Sequence, residues 1–192
     1  MLGISAIAYS SVALMYAAFF AYPVSPAVPQ STFDFVIEDK EYSKFPSIHE
    51  TIYTNGRALL VIATVRTVSA PSSAYSMIFD RVEGYAEEFV AENYGVEVDL
   101  REEESSASYP FSGHSAVRSV FGVYKEVAFG IEPFVTFKEV KLAEVGGLAW
   151  FCDVDFESVV LFYVTPVYFA DDESLEALSD DLGSMVGEVQ CH

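Results

Sequence analysis

The chain has 192 residues, 52% hydrophobic and 15% aromatic with only 20% charged, a composition that excludes a disordered polar tail. Twenty-nine acidic residues against 10 basic ones leave a net charge of −19. A surface this negative repels phosphate backbones and argues against nucleic-acid binding.

Residues 2–21, LGISAIAYSSVALMYAAFFA, are twenty positions with no charge and no proline. As a helix they would span roughly 30 Å, the thickness of a bilayer core. The expectation is a transmembrane anchor over residues 1–21. The alternative is a signal peptide, but no Lys or Arg precedes the apolar run, and the small-x-small candidate Ser25-Pro26-Ala27 contains a proline. Either form places the rest of the chain outside the cytoplasm. Prolines at 23, 26 and 29 recur every third residue, the repeat of a polyproline II turn. Residues 22–32 therefore read as a semi-rigid spacer. Residues 33–192 read as one extracytoplasmic domain, and the first charge, Asp34, opens it.

Within the domain, residues 33–38 alternate and predict a first strand, followed by a loop. Residues 50–53 and the apolar run 58–66, ALLVIATVR, predict a hairpin across Asn55-Gly56. Ser72 and Ser73 suit a helix cap. Tyr75, Ile78, Phe79, Val82, Tyr85, Ala86, Phe89 and Val90 then form a stripe at helical spacing, with Gly95 as the stop. Residues 96–100 alternate as a strand, and the acidic, serine-rich 101–108 reads as a solvated connection. Residues 115–124 and 134–145 predict further strands, Gly146-Gly147 a turn, and residues 148–154 and 158–167 the last two strands. Asp171 or Asp172 would cap a final helix carrying Leu175, Leu178, Leu182, Met185 and Val189. Strand runs with only two one-sided helices predict an α+β fold, an antiparallel or mixed sheet with both helices packed on it.

Two cysteines, Cys152 in a predicted strand and Cys191 after the last helix, make a candidate disulfide in an exported chain. The alternative is a buried thiol and a free one. No CxxC occurs, so a redox motif or zinc knuckle is not expected.

Four features in order, over roughly residues 50–190, resemble the PsbP/Mog1-like α+β sandwich superfamily. A strand pair leads into the serine-capped helix SSAYSMIFDRVEGYAEEFVAENYG. Gly113-His114-Ser115-Ala116 opens a strand, VVLFYVTP ends one, and ESLEALSDDLGSMV closes the domain. The resemblance implies a mostly non-catalytic accessory subunit or binding adaptor and carries over no site residue. The transmembrane-like segment here replaces the lipid anchor of some members.

Motifs for chemistry are sparse. His49, His114 and His192 form no HExxH or paired spacing. No Gly-x-Ser-x-Gly elbow, Walker lysine or calcium loop occurs. No catalytic residue, cofactor or metal site is therefore expected. The acidic runs at 102–104 and 171–173, and Asp153 with Asp155, read as solvated or capping groups. Aromatics near loops are candidate partner contacts: Tyr109 and Phe111, Tyr168 and Phe169. The expected function is a membrane-tethered, non-catalytic binding domain for another envelope protein. A carboxylate-based hydrolase and a structural surface-layer component are the alternatives.

Overall fold

The computed structural model describes residues 23, 26–42, 47–66, 84–95, 98–131, 133–153, 156–167 and 173–190. Among the described residues, seven strands form one sheet in the order β1-β2-β3-β7-β6-β5-β4. They are β1 Val36–Tyr42, β2 Ile48–Thr54, β3 Leu59–Arg66, β4 Asp99–Phe111, β5 His114–Ile131, β6 Phe134–Cys152 and β7 Glu157–Pro166. Every adjacent pair is antiparallel. Helix α1, described over residues 84–94, and helix α2, Glu173–Gly187, complete the α+β fold.

The helices cover opposite faces. Val61, Ala63 and Val65 of β3 share a core cluster with Ala86, Phe89 and Val90 of α1. Leu60 and Ile62, alternating with them, share another with Leu178, Leu182 and Met185 of α2. This is why β3 is apolar at nearly every position: a strand covered on both faces has no solvent side to keep polar. Each fully buried Leu or Ile contributes about 1.5–3 kcal/mol.

Several expectations hold locally. Asn55-Gly56 turns β2 into β3; Gly56 sits at φ 77°, and the Asn55 side chain accepts from the amides of Arg57 and Ala58. Gly95, φ 89°, follows the last turn of α1. Ser112 and Gly113 both take positive φ in the two-residue turn between β4 and β5.

Three expectations do not. Residues 101–108 are not a connection; they continue β4, the edge strand, nearly all of which is exposed. The acidic, bulged strand, with Pro110 near its end, carries the devices that keep an edge from pairing with other chains. Gly146-Gly147 does not turn the chain. Both glycines lie inside β6, which runs unbroken from Phe134 to Cys152. The first strand begins at Val36, not Phe33, and runs to Tyr42.

The chain approaches the sheet along α2. Ala27 pairs through its backbone with Gln190, and Ser31 and Thr32 both hydrogen-bond the Asp181 carboxylate. The end of the proline-rich stretch thus lies on the domain. Burial alone would raise the Asp181 carboxyl, but the hydrogen bonds from Ser31 and Thr32 outweigh it and hold it below its ordinary value. A depressed carboxyl pKa stabilises the fold above its unfolded value, about 3.9, and that contribution is lost as pH falls through the folded value. Asp181→Asn should therefore loosen the segment at neutral pH, and the difference from wild type should shrink as pH drops below about 4. Limited proteolysis around residues 26–32 across pH reads this directly.

The sheet has two distinct ends. The β4–β5 and β6–β7 turns lie at one; the β2–β3 turn and the β5–β6 tip lie at the other. Val186 and Gly187, at the end of α2, line the same cavity as Pro110 and Ser112. Ala27, paired with Gln190 just beyond, therefore lies at the β4–β5 end, away from the β5–β6 tip.

Candidate functional site

Beyond α2, the outer strands β4 to β7 expose part of the same face. A groove of about 520 Å³ opens there, within the size range of small-ligand pockets. Tyr109, Leu148, Leu182 and Val186 supply apolar wall, and Arg118, Glu144, Tyr163, Thr165 and Ser179 supply polar groups. Ser179, Gly183 and Gly187 follow one another at four-residue spacing on α2 and all line the groove, so small residues keep its helix wall low.

Its polar groups are linked to one another. The Tyr163 hydroxyl donates to Glu144 Oε1 at 3.1 Å, and the Arg118 guanidinium faces the same groove. Burial pushes the Tyr163 phenol well above its ordinary value, and the nearby Glu144 carboxylate adds to the shift. Arg118 reaches both Glu104 oxygens at 2.7 and 2.8 Å and stacks 4.7 Å over the Tyr109 ring. Thr165 donates to Ser179 at 3.1 Å, joining β7 to α2.

The network continues along the sheet toward the β5–β6 tip. Lys141 donates to Glu103 at 2.6 Å and Glu144 at 3.2 Å, and Tyr124 donates to Glu103. Hydrogen bonds from Lys141 and Tyr124 hold the Glu103 carboxyl below its ordinary value. Arg101 bridges Asp99 and Glu139 and lies 4.9 Å over the Tyr124 ring. A register shift between Glu102 and Glu104 inserts one extra residue opposite β5. Successive strand residues normally point to opposite faces; the bulge lets Glu103 and Glu104 both find cations on this one.

Of the sequence candidates, Tyr109 and Phe111 both line this groove. Phe111, however, is 92% buried and packs on Trp150 at 4.8 Å between ring centres, so it is foremost a core residue. Tyr168 and Phe169 lie outside the described residues. Cys152 is buried in the α2-side cluster that also holds Val189; Cys191 lies outside the described residues. His49 sits 3.6 Å from Asp39, and His114 begins β5 at the turn. His192, Asp155, Asp171 and Asp172 lie outside the described residues. Among the described residues no group of three His, Cys, Asp or Glu side chains is placed to hold a metal ion.

Arg118, Glu144 and Tyr163 were not among the sequence candidates. They come from three strands and form no motif. The available signal was slight, a charged or phenolic side chain within a mainly apolar strand: Arg118 in SAVRSV, Glu144 in KLAEVGG and Tyr163 in VVLFYVTP.

Gly183 is mid-helix, and a Cβ placed there would meet nothing within 4 Å. Gly183→Ala should therefore stabilise the fold by about 0.5–1 kcal/mol, seen as a higher urea midpoint with unchanged slope. A neutral or destabilising result would mean that the helix wall is closed.

Compared with known proteins, the chain matches no family model, no curated protein and no solved structure.

Proposed function

We propose that the protein is a membrane-tethered, extracytoplasmic accessory domain that binds another envelope protein through the groove beside α2. The observation that carries this reading is the groove itself: an open cleft with apolar walls whose polar groups are already bonded to one another. A cross-linked polar floor orients a bound segment well. Among the described residues the groove lining includes a single carboxylate, Glu144, and they offer no carboxylate pair for the hydrolase alternative.

The tether rests on residues 2–21, twenty uncharged residues long. Among the described residues no helix is long and apolar enough to cross a membrane, and residues 1–22 lie outside them. The PsbP/Mog1-like assignment belongs to the same proposal. It is supported by an antiparallel sheet with a helix on each face. The proposed Cys152–Cys191 bridge would fasten the chain end beside Val189; intact-mass measurement before and after reduction tests it.

The deciding experiment cross-links intact membranes, purifies tagged full-length protein and identifies its companions by mass spectrometry. Gly183→Leu is the matched variant, because it fills the groove from an exposed helix position without meeting a neighbour at Cβ. A stoichiometric envelope protein present with wild type and lost with Gly183→Leu supports the reading. A companion that both retain, or none, removes the groove from it.

A further inference from the structure

The β5–β6 hairpin outruns its neighbours. Pairing of β4 with β5 stops at Asp99↔Tyr124, and pairing of β7 with β6 stops at Ala143↔Pro166. Seven further pairs, Lys125↔Val140 to Ile131↔Phe134, join β5 only to β6. At about 3.4 Å per residue they make a two-stranded arm roughly 24 Å long. A lone ribbon of this kind is marginally stable in water.

Its end is nonetheless apolar and exposed. Phe134 is 82% exposed, Phe137 65%, Val135 38% and Phe129 37%. Residues directly opposite share a face, so the register puts Phe129, Phe134 and Lys138 on one face and Val135, Phe137, Glu126 and Glu139 on the other. Both faces are therefore apolar at the tip. Behind the tip one face carries a lysine and the other carries glutamates.

Charge narrows the choice of occupant. Residues 125–140 hold Lys125 and Lys138 against Glu126, Glu132 and Glu139, so the arm carries only one of the net −19 charges and the other 18 lie elsewhere. Two bodies this acidic repel each other, and contact through nearly neutral extensions keeps them apart. The two faces are also complementary to each other, Lys138 on one and Glu126 on the other.

We propose that the arm is a self-association element: copies of this chain stack arm on arm in the same orientation, the Phe129–Phe134–Lys138 face of one against the Val135–Phe137–Glu126 face of the next. Because the two contacting faces differ, the contact is heterologous and repeats into open rows. The common orientation rests on the tethered reading. An anchor preceding Ala27 meets the domain at the end opposite the arm, so tethered copies present their arms at one height.

The test uses full-length protein in phosphatidylcholine vesicles, with the photoreactive residue p-benzoylphenylalanine replacing Phe134. Mixed isotope labels identify links between copies, and carbonate extraction reports separately whether the chain is membrane-bound. Links from position 134 should fall on residues 135–137 or 126–128 of another copy and extend to oligomers above dimers. Phe137→Ser should reduce them about tenfold, which corresponds to about 1.4 kcal/mol. Lys138→Glu and Glu126→Lys should each reduce them, and the two together in one chain should restore them. That rescue separates stacking from a folding defect, and circular dichroism of each variant checks the fold. Wild-type protein that stays monomeric, links to lipid alone, or dimers joined through like faces without charge-swap rescue would overturn the proposal. Protein that is extracted by carbonate yet still links between copies keeps the stacking and removes the tether.

Discussion

Trp150→Ala should lower the free energy of unfolding by about 3–5 kcal/mol, a large share of the roughly 5–15 kcal/mol that stabilises a typical domain. Trp150 is the only tryptophan of the chain and has no exposed surface. It lies on β6 in the cluster that joins the sheet to α2, with the Phe111 ring 4.8 Å away. Truncation to alanine removes the whole indole from between layers that cannot close over the gap, so the loss combines transfer and cavity costs. Trp150→Phe keeps most of the volume and should cost markedly less. Urea denaturation followed by circular dichroism measures both, since the substitutions remove the fluorophore. A loss below about 1.5 kcal/mol for the alanine variant would mean that α2 does not pack here as described. The same variant should weaken the groove, because Leu182 belongs both to this cluster and to the groove wall.

The sequence was most legible where burial wrote a period into it. The short run LLVIATVR after Asn55-Gly56 reads as a central strand, and the α2 stripe of Leu178, Leu182 and Met185 is the helix's buried side. Asn55-Gly56 and Gly95 marked their turn and stop because their backbone conformations favour those residues. The edge was illegible for the opposite reason. Residues 101–108 are exposed on nearly every position of β4, so no apolar alternation distinguishes strand from loop. The ladder of Arg101, Glu103, Glu104, Arg118, Lys141 and Tyr163 depends on a bulge and on register, which bring residues far apart in sequence onto one face. The arm was hidden differently. Residues 134–145 read correctly as a strand, but alternation cannot say that the neighbouring strands stop short and leave Phe134 and Phe137 uncovered.

Gly146→Val should destabilise the fold by about 2–3 kcal/mol and abolish the groove's polar floor in the same step. Glycine pairs are usually read as turns, yet Gly146 lies within a strand, directly opposite Tyr163. A Cβ there would come within 2.1 Å of the Tyr163 ring. The absent side chain is what lets that ring lie flat across β6, with its hydroxyl delivered to Glu144 at 3.1 Å. Because the ring is largely buried and held at its tip by Glu144, it cannot yield as a free side chain would. Valine must therefore expel it, leaving Glu144 without the phenol that donates to it. The expected signature is a double loss: a lower urea midpoint, and failure to capture the proposed partner. Tyr163→Ala separates the two effects, since it removes the ring without the clash. If capture survives in both variants while stability falls, Tyr163 is structural and the binding surface lies elsewhere. If capture fails in both, the floor built on Gly146 is what the partner reads.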